Sequence, residues 1–171
     1  MAEKNNIVLI GMPGAGKSTL GVVSAKILGY DFVDADIIIQ NQSDRTLQKI
    51  IDAIGPMGFI EVEKDVLCDL DVSRTVIATG GSAVYSEEAM RHLADIGTVV
   101  YLKVSLEGLR SRLGGMYERG VVMREGMGMS LEELYAERVP LYEHYAEVVL
   151  DSDNLSVRDA ARKLVDILSV Q

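Results

Sequence analysis

Residues 11–18 carry the clearest chemistry in this sequence. They read Gly-Met-Pro-Gly-Ala-Gly-Lys-Ser and fit the pattern G-x-x-x-x-G-K-[ST] of a phosphate-binding loop. The glycines of such a loop let the backbone curl so that its N–H groups point at phosphate oxygens. An apolar run over 7–10 precedes the loop and a helical pattern over 17–29 follows it, which is the setting that the motif requires. A glycine-rich turn that ends in Lys-Ser by chance would need no such flanks, so the sequence predicts a nucleoside triphosphate site.

The individual loop residues have distinct expected parts. The helix that begins near Gly16 adds its positive N-terminal end to the site. We expect Lys17 to reach the β- and γ-phosphates and the Ser18 hydroxyl to bind Mg²⁺. The residues of this loop predicted to bind the nucleotide are Gly11, Gly14, Ala15, Gly16, Lys17, Ser18 and Thr19.

Two acidic residues, Asp34 and Asp36, follow the second apolar run. Ligands of open α/β sheets bind at the carboxyl ends of the strands, which places this pair beside the phosphate-binding loop. Their spacing predicts that both lie on one side of a strand. One could hold Mg²⁺ through water while the other orients and deprotonates a hydroxyl. A helix N-cap followed by a solvated acid is the competing interpretation.

Further along the chain, residues 79–82 and Arg138 are weaker indications of a site. Residues 79–82 read Thr-Gly-Gly-Ser at the end of a predicted strand, and adjacent glycines let backbone approach a ligand closely. A plain strand-to-helix turn would have the same composition. Arg138 lies in a late helical pattern, and an arginine in an acidic protein is by itself more typical of a solvated or ion-paired surface group.

Residues 113–129 break the pattern of regular elements. This segment holds five glycines and four methionines among 17 residues, a composition that does not make a stiff element. We interpret it as a mobile lid that carries Arg119 and Arg124 and brings an arginine to a transferring phosphate while excluding water. An ordinary surface loop is the alternative.

Size and charge exclude several classes of protein. The 171 residues suit one domain, and the formal net charge of −9 with a pI of about 4.7 disfavours a nucleic-acid partner, which needs a basic face. No apolar run is long enough for a membrane span, and the N-terminus lacks a signal-peptide pattern. Cys68 is the single cysteine, so no internal disulfide can form. We expect a cytoplasmic monomer.

Short apolar runs alternate with helical patterns along the chain. This alternation predicts an α/β fold whose parallel sheet is covered on both faces. The predicted strands cover 7–10, 31–34, 75–79, 98–104 and 147–150. The predicted helices cover 17–29, 36–42, 46–54, 58–70, 86–95, 105–113, 130–145 and 156–169. Pro140 predicts a kink or restart in its helix, and Ser156 is a predicted N-cap.

Taken together, these motifs resemble the shikimate kinase family over nearly the whole chain, from Ile7 to about Leu168. The resemblance implies a three-layer P-loop NTPase fold with a five-stranded, mainly parallel sheet in the order 2-3-1-4-5 and a mobile lid at about 113–129. It implies ATP and Mg²⁺ as cofactors, and a small-molecule alcohol, shikimate, as the phosphoryl acceptor. The whole chain, 1–171, would be a single kinase domain.

The resemblance also implies roles for single residues. In the acceptor half of the site, Asp34-Ala35-Asp36 matches the D-x-D of the family, with Asp34 near Mg²⁺ and Asp36 as the base for the acceptor hydroxyl. Gly80 and Gly81 match two glycines of the acceptor pocket, and Arg138 in Glu-Arg-Val-Pro-Leu-Tyr matches an arginine that grips the shikimate carboxylate.

In the nucleotide half, Arg112 matches the arginine that stacks on adenine. Arg119 matches the catalytic arginine of the lid, which steadies the γ-phosphate.

Four departures from the family pattern lie in the same site. In Phe59-Ile60-Glu61-Val62-Glu63, Phe59 and Glu63 match F-R-x-x-E, but Ile60 replaces the second carboxylate-binding arginine. Ser82 replaces a third pocket glycine, Gly120 replaces the proline after Arg119, and residues 152–154 lack an arginine. Two alternatives therefore stay open: a kinase of another small hydroxy acid or polyol, and a non-catalytic nucleotide-binding homologue.

Overall fold

The computed structural model describes residues 4–114 and 128–170. Its centre is a parallel sheet of five strands in the order β2-β3-β1-β4-β5, as the resemblance implied. The strands are β1 (Asn6–Ile10), β2 (Asp31–Asp34), β3 (Thr75–Ala78), β4 (Gly97–Lys103) and β5 (Val148–Asp151). The described helices are α1 (Lys17–Leu28), α2 (Ala35–Ser43), α3 (Leu47–Cys68), α4 (Glu87–Ile96), α5 (Leu106–Leu113), α6 (Leu131–Tyr145) and α7 (Val157–Ser169), with a 3₁₀ turn at Ala83–Tyr85.

The middle of the sheet is apolar because helices cover both of its faces. Every residue of β1 and of β3 is buried, which is the near-continuous apolar pattern of a covered parallel strand. The main hydrophobic core runs along these strands and includes Leu9, Ile77 and Val100. A second, smaller cluster lies between α2 and α3 around Ile39 and Phe59. Among the described residues, no helix is long and apolar enough to cross a membrane.

The strand register brings three chain segments together at the carboxyl ends of the strands. Asp34 at the end of β2 pairs with Ala78 of β3, and Ala78 pairs with Leu9 of β1. The phosphate-binding loop follows β1, and residues 79–82 follow β3. The loop, the acidic pair and the glycine pair therefore meet at the carboxyl ends of adjacent strands, where α/β proteins bind ligands.

Two helices differ from their predicted form. The predicted helices over 46–54 and 58–70 form the single element α3, bent at Gly55, whose φ of 76° and ψ of 169° are not helical. The helix around Pro140 was predicted to kink or restart, and no restart occurs, since α6 is one element from Leu131 to Tyr145. Buried contacts of Arg138 and Tyr142 on either side of Pro140 hold this helix together despite the missing N–H.

Candidate active site

The phosphate-binding loop has the curled backbone that its glycines predicted. Gly14 and Gly16 have φ values of 80° and 95°, in the left-handed region that glycine adopts without strain. The Ala15 N–H donates to the Met12 carbonyl at 3.1 Å and closes the turn. Helix α1 begins directly after Gly16, so its first N–H groups and its positive end face the loop. This arrangement is suited to bind phosphate.

The Lys17 side chain folds back over this loop. Its ammonium group donates to the carbonyl oxygens of Gly11 at 2.8 Å and Met12 at 2.9 Å, and the residue is only 8% exposed. A buried ammonium held by carbonyl dipoles retains a position from which it can contact phosphate oxygens. The structure thus places the Lys17 ammonium against the backbone of the phosphate-binding loop, and its contact with the β- and γ-phosphates stays a prediction.

Ser18 and Asp34 meet across the mouth of the loop. The Ser18 hydroxyl donates to Asp34 Oδ2 at 2.5 Å, while Asp34 Oδ1 accepts from the backbone N–H groups of Asp36 and Ile37. One carboxylate oxygen of Asp34 caps α2, as the competing interpretation expects, and the other accepts from Ser18. The role of Asp34 near Mg²⁺ stays a prediction. A hydroxyl and a carboxylate are hard oxygen donors of the kind that Mg²⁺ prefers, and such an ion takes few protein ligands and completes its shell with phosphates and water.

Asp36 lies in the first turn of α2, so the prediction that it shares a strand face with Asp34 was wrong. The chain turns into the helix directly after Asp34 because that side chain caps the helix. The turn brings Asp36 to Gly80 at the end of β3. A Cβ atom on Gly80 would lie 3.2 Å from Asp36 Oδ1 and would overlap Glu63 Oε1. Two carboxylates from different helices thus flank a position that only glycine fits.

Glu63 is held on its other side by Ser82. The Ser82 hydroxyl donates to Glu63 Oε2, and both residues are buried, with exposures of 4% and 1%. Ile60, one helical turn before Glu63 on α3, is half-buried. Phe59 is 5% exposed and packs in the smaller hydrophobic cluster, where it fixes α3 against α2. The site contact predicted for Phe59 stays a prediction.

Arg138 is buried, so the interpretation as a surface group was wrong. Its exposure is 0%, and it is the largest fully buried side chain among the described residues. A Cβ atom on Gly81 would lie 2.7 Å from Arg138 Nη1 and 2.9 Å from Pro13 Cδ, so the guanidinium and the phosphate-binding loop both lie against Gly81. The Tyr142 hydroxyl donates to the Gly81 carbonyl at 2.7 Å and fixes this backbone.

Tyr85 contacts Arg138 from the 3₁₀ turn. Arg138 Nε donates to the Tyr85 hydroxyl oxygen at 3.2 Å, and the hydroxyl donates to Glu137 at 2.7 Å. Burial, together with the hydrogen bond to Glu137, raises the pKa of Tyr85, so its hydroxyl is protonated at neutral pH. Sequence patterns missed Tyr85, because no motif marks it. Tyr85, three residues after Ser82, can be recognised as a neighbour of Arg138 only when the 3₁₀ turn at Ala83–Tyr85 is known.

Arg112 lies at the opposite end of the loop from the acidic pair. Its guanidinium donates to the carbonyl oxygens of Ala15 at 2.6 Å and Ser152 at 3.3 Å. It lines a cavity of about 390 Å³ together with Gly14, Thr19 and the start of α7. This space has the size of a ligand site and lies beside the phosphate-binding loop, where a nucleotide base would sit. Arg119 and Arg124 lie outside the described residues, as does most of the predicted lid.

Comparison with known proteins identifies the family. The family model described as Shikimate kinase matches residues 13–169 of this chain. The chain belongs to the shikimate kinase family. A shikimate kinase of Vibrio parahaemolyticus is 37% identical over 169 residues, which cover 98% of each chain. One from Pasteurella multocida is 38% identical over 170 residues, covering 98% of this chain and 97% of the other.

Solved shikimate kinases share the fold described above. The enzyme from Acinetobacter baumannii in complex with shikimate superposes with a TM-score of 0.87 at 30% identity, covering 98% of this chain and 94% of the other. That from Aquifex aeolicus gives a TM-score of 0.82 at 27% identity and covers 96% of each chain. This member of the shikimate kinase family is thus an ATP- and Mg²⁺-dependent kinase with a small-molecule hydroxyl acceptor, as the motifs predicted.

Proposed function

We propose that this chain transfers the γ-phosphoryl group of ATP to a hydroxyl of shikimate. The observation that carries the proposal is the burial of Arg138 against Gly81, the glycine that also lies beside Pro13 of the phosphate-binding loop. A buried guanidinium fits a carboxylate, since its planar N–H groups can donate to both carboxylate oxygens. Shikimate offers a carboxylate and hydroxyls on one rigid ring, so it can contact Arg138 and Asp36 at once.

The nucleotide half of the site binds and orients the phosphates. Backbone N–H groups of residues 11–16 and the start of α1 cradle the β-phosphate, and Lys17 contacts the β- and γ-phosphates. Arg112 contributes one wall of the base cavity. Arg119, proposed from the family resemblance alone, would steady the γ-phosphate.

Mg²⁺ would be held by Ser18 and, directly or through water, by Asp34. When bound, the ion neutralises developing charge on the phosphate oxygens. Among residues 4–114 and 128–170, no group of three acidic, histidine or cysteine side chains could hold a metal. Mg²⁺ is usually bound through one or two protein oxygens, with phosphates and water as its remaining ligands.

The acceptor half orients the hydroxyl that is phosphorylated. Asp36 would accept its proton, and Arg138 would hold the carboxylate at the other end of the ring. Because Gly80 and Gly81 have no side chain, Glu63 and Arg138 can lie directly against this backbone. Glu63 and Ser82 form the wall beside Asp36. We further propose a single kinase domain that acts as a monomer in the cytoplasm.

The proposal is tested by measuring ADP release from ATP and Mg²⁺ with shikimate titrated into the millimolar range. Gluconate and homoserine, tested in parallel, are matched hydroxy-acid controls. Saturable turnover with shikimate alone is the expected result, with a KM raised by the absence of a second arginine at position 60. Turnover restricted to one of the other alcohols would contradict the proposed acceptor. Nucleotide binding without any turnover would contradict the activity itself.

A further inference from the structure

We propose that Tyr85 is a positioning residue that orients the Arg138 guanidinium toward the acceptor carboxylate. This inference rests on the proposed function, in which Arg138 binds that carboxylate. It begins from the Tyr85 ring, whose centre lies 5.2 Å from the guanidinium carbon of Arg138. The hydroxyl of the same ring accepts the Arg138 Nε–H at 3.2 Å. One side chain thus fixes both the plane and the rotation of the guanidinium.

The Tyr85 hydroxyl has a defined direction because it is the middle of a chain of hydrogen bonds. It donates to Glu137 at 2.7 Å, which leaves its lone pairs for Arg138. Burial and the Glu137 carboxylate raise the pKa of the phenol, so the proton stays on Tyr85 across the neutral range. Glu137 is exposed and adjacent to Arg138 on α6, and it is the last group in this chain of hydrogen bonds.

Tyr85 is itself tied to the acceptor pocket. It ends the 3₁₀ turn that follows Ser82, and its backbone N–H donates to the Ser82 carbonyl at 3.1 Å. The preceding bond of the turn runs from the Ala83 N–H to the Gly80 carbonyl at 3.3 Å. The position of the Tyr85 hydroxyl is therefore set by the same backbone that lines the pocket. A shift of this loop would turn the guanidinium with it.

This role matters here because the usual second arginine is Ile60. Two guanidinium groups can hold a carboxylate even when one is rotated, whereas a single guanidinium must have the correct plane to donate two parallel bonds. The Nε–H of Arg138 donates to Tyr85, and Nη1 lies against Gly81. In the proposed complex the carboxylate would therefore be bound on the Nη side of the guanidinium. Tyr85 thus selects the Nη atoms as the carboxylate-binding face.

The test uses Tyr85→Phe, which keeps the ring and removes the hydroxyl. We expect the KM for shikimate to rise about three- to tenfold, the loss of one hydrogen bond, with kcat within about twofold and the KM for ATP unchanged. Shikimate methyl ester, which lacks the charged carboxylate, should show no difference in KM between variant and wild type. A merely structural role would shift both compounds equally, and that result would overturn the proposal, as would an unchanged KM for shikimate.

Tyr30→Phe is the matched control, since the Arg74 guanidinium lies over the Tyr30 ring at 5.0 Å. Tyr30 precedes β2 and therefore lies at the amino ends of the strands, away from the proposed site. Its KM values should equal those of wild type. Glu137→Gln, at an exposed position, should raise the KM for shikimate in the same direction as Tyr85→Phe but less, and gives the answer if Tyr85→Phe folds poorly.

A crystal structure of Tyr85→Phe decides the inference independently of activity. The Arg138 guanidinium should rotate away from its wild-type plane, and an unmoved guanidinium would overturn the proposal. If wild-type enzyme does not phosphorylate shikimate, the proposed function fails, and this structure still tests whether Tyr85 orients Arg138.

Discussion

The Ser82 hydroxyl donates a hydrogen bond to the buried Glu63 carboxylate, and this contact joins the loop after β3 to helix α3. Both partners belong to the proposed wall of the acceptor pocket, and a Cβ atom on the neighbouring Gly80 would overlap Glu63. Ser82 stands where the family pattern has glycine, and Ile60, three residues before Glu63, stands where it has arginine. Positions three apart on a helix are neighbours, so both departures act on the same carboxylate.

Ser82→Ala removes the hydroxyl that donates to Glu63, so the buried carboxylate loses one of its hydrogen bonds. We expect a loss of about 1–3 kcal/mol in the free energy of unfolding and a raised KM for shikimate, because Glu63 can then turn toward Asp36. Denaturant unfolding and steady-state kinetics measure the two effects. Ser169→Ala, which removes an exposed hydrogen bond to the Val165 carbonyl, is the control and should leave both nearly unchanged. Equal stability of Ser82→Ala and wild type would show that the contact contributes nothing.

Ile60→Arg should restore a guanidinium beside Glu63. Since a charge-assisted hydrogen bond contributes about 1.5–3 kcal/mol, the KM for shikimate should fall about ten- to hundredfold, and the methyl ester should gain less. The same change at Ile54, which is 47% exposed on the same helix, controls for added charge. Arginine at position 60 should also reduce the effect of Ser82→Ala, because it supplies Glu63 with a second donor. Additive effects in that double-mutant cycle would argue against a shared carboxylate.

The sequence predicted the site where local signals are strong. The phosphate-binding loop and the end of β2 follow from motifs and from the alternation of strands and helices, whereas the strand order was implied by the family resemblance. Asp34 and Asp36 were misplaced relative to each other, because a spacing of two residues says nothing about where a strand ends. The capping bond from Asp34 to the Asp36 N–H ends the strand there.

The contacts between distant segments could not be predicted from local patterns. Glu63 reaches Gly80 and Ser82 only because α3 bends at Gly55 and packs beside the loop after β3. Arg138 was assigned to the surface by composition, yet its neighbours Tyr85 and Gly81 come from a segment more than fifty residues away. Such contacts depend on packing of helices against the sheet, which hydrophobic periodicity alone does not specify.

Lys17→Met tests the nucleotide half of the site. The variant keeps the volume of the side chain but loses the ammonium that contacts the phosphates, so kcat should fall at least about 100-fold. Its far-ultraviolet circular dichroism should match that of wild type. Lys26→Met, on the exposed side of the same helix, is the control and should retain full activity. Retention of kcat by Lys17→Met would remove Lys17 from the catalytic residues.

The burial of Tyr101 predicts that the folded protein loses stability at alkaline pH. The residue is fully buried and stacks on Tyr142 with ring centres 5.2 Å apart, and its hydroxyl has no hydrogen-bond partner among residues 4–114 and 128–170. Burial therefore raises the pKa of Tyr101 above its usual value near 10. Above about pH 10 the unfolded chain releases this proton while the folded protein keeps it, so unfolding becomes more favourable as pH rises.

Tyr101→Phe should remove this dependence and keep the ring stacking. Its free energy of unfolding should equal or exceed that of wild type at pH 7, because no hydrogen bond is lost. Between about pH 10 and 11 the free energy of unfolding of Tyr101→Phe should fall less steeply than that of wild type. The difference in slope should be up to about 1.4 kcal/mol per pH unit. Tyr142→Phe is the matched control, since it loses the bond to the Gly81 carbonyl and should be less stable already at pH 7. Parallel pH profiles for Tyr101→Phe and wild type would mean that the Tyr101 phenol ionises as readily in the folded protein as in the unfolded chain.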